Sequence, residues 1–464
     1  MSSAPSSLDL RPASQTTPVE PLPATVGFAQ ALRFWLKLGF IGFGGPAGQI
    51  AIMHTELVER RCWISEKRFL HALNYCMVLP GPEAQQLATY IGWLMHRTAG
   101  GIAAGVLFVL PSLFILIALA WIYLRFGDVP VVEGIFYGIK PAVMALVVHA
   151  AYRIGTRALK NLWMWSIAAA AFVAIFALHT PFPQIVLAAA LIGHFGAKLA
   201  PQVFTLGGGP GSAPKSYGRA LIDDDTPPPA HAQFRRSRLL TVLAIGLGLW
   251  LVAMAALLVT QGVHGTLTQM GWFFTKAAML TFGGAYAVLP YVYQGAVEQH
   301  QWLSGAQMID GLALGETTPG PLIMVVAFVG FVGGWLKPMF GPDALFTAGA
   351  VAAIVVTFFT FLPSFIFILA GGPVVEATHG KLGFTAPLSA ITAAVVGVIL
   401  NLALFFAHHV LWPQGFGGHF DVVSALVAMA AAVALFRFKV GVLPLLGGCA
   451  ALGLAVTLVA PGWR

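Results

Sequence analysis

Long apolar runs recur along the chain near residues 100–124, 130–151, 162–179, 182–199, 238–261, 345–370, 384–410, 420–436 and 440–460. Runs of this length can cross the ~30 Å hydrocarbon core of a bilayer. Two other regions are apolar but broken. Residues 25–42 and 46–60 are split by Gly44-Gly45-Pro46, and residues 66–79 and 83–97 by Pro80-Gly81-Pro82. A 14-residue piece reaches only about 21 Å as a helix, and these pieces carry His71, Asn74, Glu83, Gln85 and Gln86. The pattern predicts two re-entrant helical hairpins with FGG-P and PGP at their tips, tolerable where protein or a watery cavity covers the open backbone. Short interfacial or tilted helices are the plainer alternative.

The broken region occurs twice. Phe43-Gly44-Gly45, Trp63-Ile64-Ser65 and Pro80-Gly81-Pro82 return as Phe282-Gly283-Gly284, Trp302-Leu303-Ser304 and Pro319-Gly320-Pro321, at one offset of 239 (282−43, 302−63, 319−80). Lys37 pairs with Lys276, Glu59 with Glu298 and Leu73 with Leu312 at the same offset. The second copy therefore predicts hairpin limbs at 265–281, 286–300, 305–318 and 321–336. Further on, Leu110-Pro111-Ser112 matches Leu362-Pro363-Ser364 at offset 252, implying about thirteen extra residues in copy two around 337–349. Ala142-Val143 matches Ala394-Val395, and His149 falls opposite Asn401. A duplicated half in an apolar chain is the signature of a transporter built from repeats, with its site where the repeats meet.

Charge adds orientation. Arg60, Arg61, Lys67 and Arg68 crowd the loop between the hairpins of copy one, whereas residues 293–308 of copy two hold no Lys or Arg. Positive loops stay inside, which places the first loop in the cytoplasm and the second outside. Arg153, Arg157, Lys160, the basics of 215–238, Lys381, Arg437 and Lys439 fall inside on the same layout, and Arg125, Lys337 and Arg464 outside. The repeats are then inverted, with a cytoplasmic N-terminus and a periplasmic C-terminus.

The expected fold class is all-α integral membrane: two inverted-topology repeats, each with two re-entrant or broken helical hairpins plus about four spanning helices, joined by one extra span. The expected division is a disordered cytoplasmic tail (1–24, not a signal peptide), a first repeat (25–200), a cytoplasmic linker (201–237), a connecting span (238–261) and a second repeat (262–464). The linker, rich in Gly, Pro and Asp, should be flexible. Composition agrees: the chain is 58% hydrophobic and 9% charged, against about 25% charged in a soluble domain. Its net charge of +8 lies at the ends of apolar segments, which marks topology and argues against nucleic acid. Three cysteines without ligand spacing indicate neither a disulfide framework nor a metal site.

The candidate chemistry sits at the tips. Each second limb starts there, with unsatisfied N–H groups and a positive dipole end, so four such termini brought together suit an oxyanion. The candidate substrate-binding residues are Gly44, Gly45, Pro46, Pro80, Gly81 and Pro82 in copy one, and Gly283, Gly284, Thr317, Thr318, Pro319, Gly320 and Pro321 in copy two. Lys37 and Lys276, nearly two turns before the FGG tips, could neutralise a dianion or snorkel to an interface. Glu83 and Glu316, on either side of a PGP tip, are proton-coupling candidates. His71 and Asp310 read as a loop-facing polar pair, Glu59 and Glu298 as loop-fixing acids, and Trp63 and Trp302 as interface anchors. No HExxH, GxSxG or Walker sequence is present, so an enzyme is not expected, nor a metal or cofactor, and transport would draw on ion gradients or the membrane potential.

With FGGP-x-G, the W-x-S loop and a PGP in each half, the chain resembles the chromate ion transporter family in its long two-domain form, over residues 25–200 and 262–460. The resemblance implies a bacterial inner-membrane carrier that exports chromate and confers resistance; alternating access of the inverted repeats at a midplane oxyanion site is the expected route. Some members are linked to sulfate, so sulfate or other oxyanion uptake or exchange is the alternative, with a channel-like anion pathway as another class. Copy two departs from the pattern in having Ala285 where copy one has Pro46. The expected partners are a chromate- or sulfate-like oxyanion and the lipid bilayer, with a homodimer left open.

Overall fold

A computed structural model describes residues 25–127, 129–199, 217–224, 226–227, 229–282, 284–378 and 385–459. Tail residues 1–24, much of the linker and Gly283 lie outside the described residues. Within them the chain is helical, with no strand beyond one parallel bridge between Ile64 and Ile222. Copy one runs α1 (Phe28–Ile41), α2 (Gly45–His54), α3 (Glu66–Val78), α4 (Glu83–Phe126), α5 (Pro130–Ala158), α6 (Leu162–Phe176) and α7 (Phe182–Leu199). The connecting helix α8 spans Arg236–Gln261. Copy two begins with α9 (Thr266–Leu280), α10 (Ala285–Tyr293), α11 (Gly305–Thr317) and α12 (Val325–Leu336). It ends with α13 (Leu345–Thr378), α14 (Thr385–Leu411), α15 (Val422–Phe436) and α16 (Val442–Val459). Among the described residues, 7 helices are long and apolar enough to cross a membrane, so the protein is a multi-pass membrane protein.

The broken regions are paired short helices, as expected. α1 has 14 residues and α3 has 13, about 21 and 20 Å long, short of a full crossing. In copy one each return limb starts at a glycine-proline break, and the one after α3 ends at His96 (φ −134°, ψ 35°) and Arg97 (φ 56°, ψ −158°), where the backbone leaves the helix. The chain turns back there, where the sequence pattern separates two segments: Gly92 packs against Gly100, and Gly105 against Thr89 and Gln85, so the two parts of α4 lie side by side.

The repeat extends to backbone detail. π-Helical turns follow α2 at Thr55–Arg60 and α10 at Gln294–Gln299, and Cys62 and Gln301 both sit at φ 50°. Ser65 and Ser304 each cap the following helix, Ser304 through a full capping box with Gln307. Each of these pairs keeps the offset of 239. Beyond, α6 and α15, like α7 and α16, correspond at offset 260 (422−162, 442−182). A second insertion, between Asn401 and Val422, therefore follows the one around 337–349, where a 3₁₀ turn at Pro342–Ala344 occupies the extra length. Ser304→Ala removes a cap worth about 1 kcal/mol; we expect a lower thermal unfolding midpoint for the purified protein with transport retained.

The halves exchange partners. α5 packs on α15 and α16 of copy two, and its counterpart α14 packs on α6 and α7 of copy one. At the α5–α16 crossing a methyl on Gly138 would meet the Cys449 carbonyl at 1.9 Å, so the backbones touch; small residues permit such crossings in lipid. The equivalent crossing of α14 with α7 pairs Ala390 with Gly193.

Two expectations are corrected. Trp63 and Trp302 are buried, not interface anchors, packed on the repeat-related Phe34 and Phe273 with ring centroids 5.1 and 5.6 Å apart. The described part of the linker is not free chain either. It docks on the Trp63 loop, with Leu221 N donating to Cys62 O (2.9 Å), Ile222 N to Trp63 O (3.1 Å) and Ser65 N to Ile222 O (3.0 Å). Satisfying backbone groups outweighs the composition, because Ile222 also buries its side chain there.

Candidate functional site

The four tips meet at the centre, crosswise. Gly81 N of the first PGP donates to Thr281 O before the second FGG (2.7 Å), and Gly320 N of the second PGP donates to Gly42 O before the first FGG (2.9 Å). Both partners shift by 239 (281−42, 320−81), so a local two-fold relates the bonds. Gly81 (φ 128°) and Gly320 (φ 105°) take backbone conformations that a side chain resists. Ser364 packs on the first and Ser112 on the second, in step with the offset of 252. Copy one staples both contacts. The buried Gln49 amide donates to Gly42 O (3.0 Å) and Gly320 O (2.5 Å), and Gln86 to Pro80 O (2.8 Å).

Below the tips lies a cavity of about 1030 Å³. Its inner end is built by Pro46 at the start of α2, Glu83 at the start of α4, and Gly284, Ala285 and Tyr286 at the start of α10. Three helix N-termini from both repeats thus border one space, with Gly284 (φ 96°) against the Glu83 carboxylate. Its walls carry Arg153 and Arg157 of α5 and Lys160 just beyond. Arg153 and Arg157 stand one turn apart, so both face the same side of α5. His54 and Glu59 line it as well; the His54 ring bridges Glu59 (3.1 Å) and Glu66.

Each arginine lies within electrostatic range of a carboxylate. Arg157 acts on Glu83, and Arg153 on Glu316 and Tyr286. Glu316 is buried and takes the Tyr286 hydroxyl hydrogen. A dianion in the cavity would compete with these carboxylates for the arginines, while the helix termini would favour it.

Of the residues read as substrate-binding, Pro46 and Gly284 line the cavity, and Gly44 and Gly45, at positive φ, form the turn into it. Of the two carboxylates, Glu83 lines it and Glu316 lies behind Tyr286. Pro80, Gly81, Pro82, Pro319, Gly320 and Pro321 form the crossed tips and are not part of the cavity lining. Thr317 and Thr318 direct their hydroxyl hydrogens to the carbonyls of Leu314 (2.9 Å) and Gly315 (3.1 Å). Lys37 and Lys276 are not brought to the site: both are on exposed faces of α1 and α9, and the Lys276 ammonium sits 5.8 Å over the Trp272 ring. Asp310 is deeply buried, not loop-facing. The sequence reading missed Arg153, Arg157, His54 and Tyr286 as site residues. The signal was the i, i+4 arginine pair at the end of an apolar run, which it took for a topology marker.

Crossed repeats around a central basic cavity define a multi-pass membrane protein of the repeat-built transporter class. The chain belongs to the chromate transporter family, whose model matches residues 29–194 and 268–454, one stretch in each half. It is 29% identical over 422 residues to a chromate transport protein of Cupriavidus metallidurans, covering 89% of both chains. It is 33% identical over 398 residues to one of Pseudomonas aeruginosa (84% of this chain, 83% of that protein). A probable chromate transport protein of Synechococcus elongatus is 30% identical over 372 residues (80% and 82%). No solved structure matches the chain.

Proposed function

We propose that the protein is a secondary carrier that exports chromate across a bacterial inner membrane by alternating access of two inverted repeats. The observation that carries this reading is the cavity in which Arg153 and Arg157 face helix N-termini of both repeats. A tetrahedral dianion enters from the cytoplasm, the side assigned by the positive loops, exchanges its water for guanidinium and backbone N–H donors, and takes over the arginine charge that otherwise acts on Glu83 and Glu316. Protonation of Glu316 or Glu83 offsets one of the two added charges, which links the anion to protons. Lys160 and Glu59, both exposed, belong to the cavity lining beside loops assigned to the cytoplasm, which supports a cytoplasm-facing state with the N-terminus on that same side. Chromate, rather than another tetrahedral dianion, rests on the relatives.

The test is chromate accumulation in cells expressing the wild type, an Arg153→Ala/Arg157→Ala variant, or neither. Export predicts less chromate with the wild type than in empty cells, and the empty-cell level with the double variant. Equal accumulation in all three would remove chromate as substrate. More chromate with the wild type would mean inward transport and favour the sulfate-uptake reading.

A further inference from the structure

The repeat offsets map the cavity onto the opposite half of the molecule. His54, Arg153 and Arg157 of the cavity correspond to Tyr293 (offset 239), Phe405 and His409 (offset 252). Those three fill the equivalent space: the Tyr293 and Phe405 rings are 4.2 Å apart, the Phe405 and His409 rings 3.9 Å, and both Phe405 and His409 close on Gly305. An aromatic plug therefore stands where its counterpart is open.

One basic side chain of this closed half has a counterpart in the cavity lining. Lys140 corresponds to Thr392, which lines the cavity, and stands 13 residues, or about 20 Å along α5, from Arg153. Its ammonium is 3.4 Å from Asp310 of α11, the counterpart of His71. Asp310 is 2% exposed; the Tyr123 hydroxyl of α4 donates to the same oxygen (2.8 Å), and its other oxygen has no partner. Lys140 and Tyr123 are the ionisable groups that act on Asp310. Of the other elements against α11, α12 presents Phe328 to Gly311, α14 brings His409 to Gly305, and α16 holds Cys449 as its titratable residue.

We infer that Lys140 is the oxyanion-binding cation of the outward-facing half, and that Asp310 with Tyr123 latches it while the cytoplasmic cavity is open. This rests on the carrier reading above and adds the second station of the path. When the plug parts, Lys140 takes the place in the outer half that the arginines hold in the inner one, and the anion replaces Asp310 as its partner. A half-satisfied buried carboxylate is suited to a contact that must break in each cycle, since a fully bonded one would hold the state closed.

The experiment uses full-length protein in oriented membrane vesicles with Cys62, Cys76 and Cys449 replaced by Ser. A reporter cysteine stands at Leu312, buried here and equivalent to cavity-lining Leu73, and a membrane-impermeant maleimide is added from the Trp302 side. Sulfate and molybdate serve as dianions that do not oxidise thiols. Labelling of Leu312→Cys is expected to be slow, to speed several-fold with Asp310→Asn, and to be slowed again by the dianions only while Lys140 is present, not in Lys140→Met. Tyr123→Phe, which removes one hydroxyl, should act in the same direction more weakly, and it carries the test if Asp310→Asn does not accumulate. A labelling rate indifferent to both latch variants, or dianion protection that is absent with Lys140 or survives Lys140→Met, overturns the inference. A Leu73→Cys reporter probed from the opposite side separates the two readings. If it labels normally while Leu312→Cys gives one of those overturning results, the latch fails and the cavity reading stands; if it never labels, the cytoplasm-facing cavity fails, and the latch with it.

Discussion

Arg153→Ala is expected to abolish most chromate flux. A charged hydrogen bond in a half-buried site is worth roughly 1.5–3 kcal/mol, which corresponds to a binding loss of about ten- to 150-fold. Arg153 is the half-buried member of the pair, and its charge acts on both Glu316 and Tyr286. Arg157 is exposed to the cavity, so screening reduces its share, and Arg157→Ala should cost only a few-fold. Arg153→Lys keeps the charge but loses the planar fork, and should fall between the two. Initial rates against chromate concentration in vesicles check the order, and an Arg153→Ala variant with wild-type affinity would take this residue out of the site.

The second large effect belongs to stability. A methyl on Gly81 would meet Ser364 Oγ at 2.4 Å, and one on Gly320 would meet Ser112 Cβ at 2.7 Å, both at positive φ. Backbone strain of about 1–2 kcal/mol and overpacking of about 1–3 kcal/mol add to roughly 2–5 kcal/mol for Gly81→Ala or Gly320→Ala. Either should lower the thermal unfolding midpoint of the solubilised protein and shrink its yield in membranes. Ser364→Ala should restore part of the Gly81→Ala loss, because it removes one collision and leaves the strain and the contact with the flexible end of Gln86. A Gly81→Ala protein as stable as the parent would contradict the crossed-tip geometry.

Much of this architecture could be read from the chain, because duplicated glycines and prolines mark backbone breaks that side-chain chemistry cannot disguise. The limbs at 66–79 and 305–318, and the insertion near 337–349, have matching elements in the structure. Contacts far apart in sequence could not be read, among them Gly81 with Thr281 and the exchange of helices between halves. The lysines failed for a different reason. In α1 the buried arc is set by Ala31, Phe34, Trp35 and Leu38, and Lys37 lies roughly 110° from its centre at about 100° per residue. Lys276 lies the same roughly 110° from the arc of Met270, Phe273, Phe274 and Ala277. Repeat symmetry drew attention to both, yet the face of the helix decides what a side chain touches. Arg153 has an aromatic counterpart, Phe405, so symmetry alone would never have selected it.

The most direct test of carriage through the cavity is counterflow in vesicles reconstituted with purified protein. Tracer chromate uptake should accelerate when unlabelled chromate is loaded on the other side, and this acceleration should vanish in Arg153→Ala. Tracer flux that ignores the trans anion and simply follows the membrane potential would contradict the carrier and leave an anion channel in its place.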